Sequence, residues 1–277
     1  MRIIDPHVHI WKNDPAFPWA PELRTPPKED ATPEMLLEAM DAHGVEKTVL
    51  VQVIFYRWDN SYTAKALEDY PDKFMGVCRV NPEDPAAPDH LSYWTEERGF
   101  HGVRLSPSPE ASDDWFCGPL MDPLFQRAAD LGVPMLILTG PNRLPDLARI
   151  LERHPDLDVV IDHMADCPPD DEEGIRKLLD LARYPRVYVK ISHTWLLSKE
   201  DYPWRDTHDL VHRVYDAFGA QRLMWATDWP MCLRKAKYEQ TLSVVRDEMD
   251  FFTPEDKEWI LGKTALKLWP FKSVGDN

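Results

Sequence analysis

His7 and His9 stand two residues apart in DPHVHIW. In an extended strand that spacing puts both imidazoles on one face. A buried histidine needs a carboxylate, another polar partner or a metal ion, because desolvating an unpaired polar ring is costly. H-x-H taken alone is as readily a surface feature, but at the end of a first strand it reads as a site. Asp228, in LMWATDWP, supplies an acid able to take a proton from water, orient a histidine or ligate a metal. The plainer reading is an Asp capping the turn before Pro230. His163 ends VVIDHMA and is either a further imidazole of the same site or a core histidine bonded to a backbone carbonyl. Asp162, one residue before it, falls on the opposite face by strand alternation and reads as structural.

A second tier of residues suits substrate contacts. Arg104 in FHGVRLS can grip a carboxylate or a developing oxyanion through two parallel hydrogen bonds; the alternative is an ion pair with an acidic helix outside. Lys190 in VYVKIS, and His193 three residues on, are similarly placed. Gln52, Asn142 and Tyr56 offer further polar atoms. The loops FPWAPELR and VIFYRWDN carry Phe17, Trp19, Phe55, Tyr56 and Trp58, and Trp195 and Trp229 are comparable. Such rings wall a site for a flat or apolar substrate, or pack against helices or another subunit. The chain has no G-x-S-x-G elbow, so a nucleophilic serine of that kind is not expected.

The elements that must position these residues are legible as eight apolar runs: Arg2–Ile10, Lys47–Val53, Lys73–Val80, Phe100–Ser106, Val133–Thr139, Asp158–Met164, Val187–Ser192 and Arg222–Thr227. Several are nearly continuous hydrophobics (TVLVQV, VPMLIL, LDVVID), as parallel strands covered on both faces should be. Helical signals fill the gaps. Thr32-Pro33 before EMLLEAMDAHG gives a cap, a proline at the first helical position and a glycine stop. Asp122–Gly132, Leu144–His154, Glu172–Arg183 and Asp206–Gly219 carry apolar residues at three- and four-residue spacings, and a last helix is expected from Thr253 to just before Pro270. Eight alternating units predict an α/β protein, a (β/α)8 TIM barrel, in which the last strand lies beside the first. An open doubly wound sheet is the rival fold, but no G-x-G-x-x-G follows the first strand. Prolines gather in the connections 15–27, 82–88, 107–119 and 168–169, as in rigid loops after strands.

The 277 residues suit one barrel domain, which commonly takes about 250 residues, so a single domain over 1–277 is expected. No apolar run approaches the roughly 20 residues of a membrane span. The first residues, MRIIDPHVHIW, carry charges where a secretory leader is apolar, and a cytoplasmic location is expected. With 48 acidic against 32 basic residues the net charge is −16, which argues against nucleic acid or an anionic membrane as partner. A small-molecule substrate is the expected partner, and homo-oligomerisation stays open. The four cysteines lie far apart with no C-x-x-C pair, so neither a disulfide framework nor a zinc ribbon is expected.

HVH on the first run, an Asp after the last and a His between them resemble the amidohydrolase superfamily. The order DPHVHIW, VLVQV, GVRL, LPDLARILERHPDLDVVIDHMA, VYVKIS and ATDWP, which runs from residue 1 to about Trp269, resembles its amidohydrolase-2 branch. That branch includes fuconolactonase-type sugar lactonases, pyrone-dicarboxylate hydrolases and, more distantly, metal-dependent decarboxylases. The resemblance implies that His7, His9 and Asp228 form the catalytic or metal centre, with His163 a further catalytic residue and Arg104 on substrate. Metal-binding relatives carry another histidine at the end of the fifth run, where this chain reads LILTGPN. Thr139 and Asn142 are poor zinc ligands. His7, His9 and Asp228 are then either a three-ligand site for one divalent ion, zinc or manganese, or a metal-free centre, the arrangement favoured here. No organic cofactor is expected.

The reaction expected on these grounds is hydrolysis of a lactone or similar cyclic ester of a small anionic compound, with Asp228 as general base and the histidines polarising the carbonyl. The alternatives are a metal-dependent nonoxidative decarboxylase of an aromatic or unsaturated acid, and a catalytically silent barrel that binds a ligand.

Overall fold

In a computed structural model describing residues 1–108, 111, 112 and 114–271, each of the eight runs contains a parallel strand. Pro109, Glu110 and Asp113 of the proline-rich connection lie outside the described residues, as do 272–277. The strands are β1 (Ile4–Val8), β2 (Lys47–Val51), β3 (Phe74–Val77), β4 (Val103–Leu105), β5 (Met135–Ile137), β6 (Val159–Ile161), β7 (Val187–Ile191) and β8 (Leu223–Trp225). They are shorter than the apolar runs because the chain leaves each ladder early to form the loops of the mouth.

Pairing follows chain order, β1-β2-β3 in one ladder and β4-β5-β6-β7-β8 in the other. Two parallel bridges, Cys78 to Val103 and Val8 to Trp229, join the ladders at both seams and close the ring. The second seam is secured by backbone bonds from His9 N to Trp229 O at 2.7 Å and from Asp228 N to His7 O at 3.0 Å. This is the TIM barrel expected from the alternation of elements.

Period-two alternation sorts the strand side chains into two layers. Ile4, Val49, Val51, Met75, Val77, Leu136, Val160, Tyr188 and Met224 fill the barrel axis, closed beneath by Ala265 and Trp269. Their neighbours, among them Val103, Ile137, Val159, Ile161, Val189 and Trp225, face the surrounding helices. Each such apolar side chain stabilises the fold by ~1.5–3 kcal/mol relative to exposure.

The first helix shows how sequence fixes an outer element. It spans Pro33–His43; the Thr32 hydroxyl accepts from Met35 N, and Gly44 ends it at φ 69° with its N–H on the last carbonyls. Leu36 and Met40, four residues apart, are its buried stripe. Replacing Thr32 by Ala would cost about 1 kcal/mol. The last helical stretch, from Pro254 to Leu268, loosens into a wider turn over Trp259–Lys263. Among the described residues no helix is long and apolar enough to cross a membrane.

Candidate active site

Above the apolar axis the same alternation builds a polar floor. Counting two from Val160 gives Asp162, and two from Tyr188 gives Lys190; Arg104 lies inward between Val103 and Leu105, which face the helices. Asp162 is fully buried and accepts from Arg104 Nε at 2.8 Å, while Lys190 Nζ stands 3.0 Å and the His7 Nδ1 atom 3.2 Å from its other oxygen. The expectation that Asp162 points away from the site is therefore corrected. The strand ends at Ile161, so alternation runs through Asp162 but not through His163. Burial opposes ionisation of Asp162, but the charges of Lys190 and Arg104 outweigh it and hold its carboxyl well below the usual range. Burial pushes the Lys190 ammonium down to about 8, with Asp162 opposing the fall.

The upper tier is reached by turning the backbone. His163 (φ 55°), His193 (φ 62°) and Asp228 (φ 58°) all adopt the left-handed conformation directly after strands. Non-glycine residues there cost roughly 1–3 kcal/mol each, and such strain gathers at functional sites. The turn brings His163 and His193 face to face, with ring centroids 3.5 Å apart and planes within 8°. His193 donates through Nδ1 to Asp166 at 2.7 Å and through Nε2 to Asp228 Oδ2 at 2.9 Å. Two donated bonds make it an imidazolium: burial lowers its pKa, but the two carboxylates prevail and raise it to about 9. Burial, then the neighbouring His193 and His7, keep His163 neutral. Its Nδ1 lies 2.7 Å from Ser192 Oγ.

The first strand supplies the remaining rings. His9 Nδ1 donates to Val51 O at 2.6 Å, because a carbonyl can only accept. Its Nε2 then faces Asp228 Oδ1 at 3.2 Å. Lys190 Nζ donates to His7 Nδ1 at 2.9 Å, which puts the His7 ring proton on Nε2. That N–H faces Asp228 Oδ1 from 3.7 Å, too far for a hydrogen bond. Both His7 Nε2 and Asp228 Oδ1 are buried without a hydrogen-bond partner. Burial works against the Asp228 carboxylate, yet His193, which donates to Oδ2, outweighs it and holds the carboxyl well below its ordinary range. Beneath them Asp5 clamps β1 to β8 by accepting from Thr227 N and Oγ1, His7 N and Tyr238 OH.

Ligand atoms of His7, His9 and Asp228 lie within 4.8 Å of one another, as do those of two overlapping groups. Asp228 Oδ1 and His9 Nε2 are suitable donors for a divalent ion. His7 Nε2 does not fit while Lys190 occupies Nδ1, since the proton then sits on the nitrogen that would have to bind metal.

The other expected contacts fall differently. Gln52 donates to Asp59 O and accepts from Thr63, and the Tyr56 hydroxyl is taken up by the Lys12 backbone. Trp229 is buried, its carbonyl spent on His9 N. Phe17, Trp19 and Phe55 pack against Tyr62, Tyr56 and Trp11. Trp195 packs its edge on His193. Asn142 and Trp58 line a cleft at the mouth together with Arg79 and Asp166. Sequence reasoning singled out neither of the last two, though Arg79 follows the inward-facing Val77 by two.

A closed parallel barrel with imidazoles and a carboxylate converging at the C-terminal ends of its strands defines a hydrolytic barrel of the amidohydrolase type. The chain belongs to the amidohydrolase family, whose Amidohydro_2 model matches residues 4–271. An L-fucono-1,5-lactonase of Burkholderia multivorans is 31% identical, the match covering 99% of this chain and 97% of the relative. A 4-sulfomuconolactone hydrolase of Hydrogenophaga intermedia is 26% identical over 82% of this chain and 74% of its own. An amidohydrolase of Burkholderia multivorans, crystallised with zinc, superposes with a TM-score of 0.83 at 22% identity, covering 98% of this chain and 100% of the other.

Proposed function

We propose that the protein hydrolyses a lactone of a small anionic compound with water activated by Asp228. The observation that carries this reading is Asp228 Oδ1, a buried carboxylate oxygen without a hydrogen-bond partner, edged by the imidazoles of His7 and His9. A buried acceptor left without a donor is a place for a water or a substrate. Similarity to two lactone hydrolases supports the bond type.

Water attacks the lactone carbonyl and yields a proton to Asp228 Oδ1. The carbonyl oxygen becomes an oxyanion, which the His7 Nε2–H, fixed by Lys190, and the neutral His163 stabilise. The acyl–oxygen bond of the ring then breaks, and Asp228 passes its proton to the departing alkoxide, leaving a hydroxy acid. A carboxylate held at low pKa is a weak base, so proton transfer accompanies attack rather than preceding it. His193, an imidazolium on Oδ2, keeps Oδ1 turned to the water. His9 bounds the same space through Nε2, 3.2 Å from Oδ1. No step is assigned to a metal ion, since Lys190 donating to His7 Nδ1 leaves the ring proton on the nitrogen a metal would need.

The test is a pH-stat assay over a panel of γ- and δ-lactones, acidic and neutral, with carbon dioxide release measured on aromatic and unsaturated acids. Acid production from a lactone is the expected result. Carbon dioxide release without lactone turnover would replace the reading by decarboxylation.

A further inference from the structure

Between β2 and β6 the mouth opens into a cleft of about 620 Å³, walled by Arg57, Trp58, Arg79, Ser106, Thr139 and Arg143. Three arginines gather here in a protein of net charge −16. Arg79 is 2% exposed. Its Nη2 donates to the neutral Ser106 Oγ at 2.5 Å, while its Nε is buried without a partner. Thr139 Oγ1 in the same wall is likewise buried and unpartnered. Arg143 is anchored on the carbonyls of Ser112 and Ala111, which leave its charge uncancelled. The Trp58 ring lies 5.7 Å from the Arg79 guanidinium and 5.9 Å from that of Arg57.

Among the described residues none of these arginines pairs with a carboxylate. The acid nearest in effect, Asp162, is already shared by Arg104 and Lys190. A buried guanidinium with idle N–H groups is costly until an acceptor completes it. Burial, together with the charges of Arg104 and Arg57, lowers the Arg79 pKa to about 9, so it stays charged at neutral pH and an anion is strongly favoured beside it. Asp166, on the same wall, holds His193, which holds Asp228. The cleft and the water-activating oxygen are thus joined by one carboxylate–imidazole–carboxylate chain.

We infer that this cleft receives a carboxylate carried by the substrate. Arg79 Nε and Nη and the Thr139 hydroxyl donate to its oxygens, and Trp58 covers the attached carbon frame. This rests on the lactonase reading and narrows it to acidic lactones, setting neutral sugar lactones aside. It also moves the grip on the acid group from Arg104, whose Nε is engaged by Asp162, to Arg79.

Titration calorimetry on the full chain tests this with cyclopentanecarboxylate and cyclopentanecarboxamide, probes that lack an ester. The wild type binds the acid about tenfold or more tighter than the amide, the expected scale of a charge-assisted pair. Arg79→Met abolishes the preference without lowering Tm, because it removes an unpaired buried charge. Arg79→Lys retains part of it, and Thr139→Val weakens the acid about fivefold. Should Arg79→Met unfold, the lysine and valine variants carry the comparison. Equal binding of acid and amide, or a preference untouched by these variants, overturns the inference. Turnover of γ-carboxy-γ-butyrolactone against its methyl ester separates the two claims: equal turnover of both, unaltered in Arg79→Lys, overturns the acid site and leaves the lactonase standing. Arg79-dependent acid binding with no lactone hydrolysed overturns the lactonase and leaves the site.

Discussion

The backbone N–H of Asp228 donates to the carbonyl of His7 at 3.0 Å. Ring closure and assembly of the site are therefore one event: the bond that seals the last strand side to the first sets a carboxylate beside two imidazoles. Asp5 reinforces the seam from below by binding Thr227 and Tyr238.

Lys190 governs the chemistry of His7 by donating to Nδ1 at 2.9 Å. Lys190→Met should lower kcat about 100-fold with KM changed only a few-fold, since the lost donor acts on the oxyanion. The His7 ring proton should move to Nδ1, visible in nitrogen NMR, and zinc affinity should rise. Unaltered kcat in a folded variant would remove His7 from the oxyanion role.

Asp162 is the shared counter-ion of Arg104 and Lys190, both buried. Asp162→Ala leaves two like charges without their counter-ion and should destabilise the fold by ~3–5 kcal/mol, measured by urea unfolding. A loss below about 1 kcal/mol would mean that the three groups are not coupled as described.

His193 links Asp166 and Asp228, and its pKa in the folded protein is raised from 6.5 to about 9. A base with a raised folded-state pKa binds its proton more tightly when folded. Its contribution to stability is thus complete below pH 6.5 and lost as pH rises through about 9. The Tm advantage of wild type over His193→Asn should shrink across that interval. Parallel Tm profiles from pH 6 to 10 would contradict the double ion pair.

Chelation gives a further check. With the His7 proton on Nε2, lactone turnover should survive dialysis against EDTA, and the protein should carry far less than one equivalent of metal by elemental analysis. Loss of turnover restored by zinc or manganese would contradict the metal-free mechanism.

The barrel was legible because eight apolar runs alternate with capped helices, and closure then forces Asp228 toward His7 and His9. The orientation of Asp162 was not, because nothing in DHMA announces that the chain turns left-handed at His163. Alternation counted back from that histidine puts Asp162 outward, whereas counted forward from Val160 it points in. Gln52 and Tyr56 sit at the expected ends of elements, but their polar atoms turn to Asp59, Thr63 and Lys12. Arg79 is informative through what does not pair with it, a property of the assembled mouth that spacing along the chain does not carry.

The central claim is most directly tested by kcat/KM of Asp228→Asn on the best lactone substrate, with Tm recorded alongside. The account predicts a fall of about 1000-fold or more with the fold retained, because Asn offers no base while His193 keeps Asp166. Activity within about tenfold of wild type in a folded variant would contradict it, and water activation would then belong to another group.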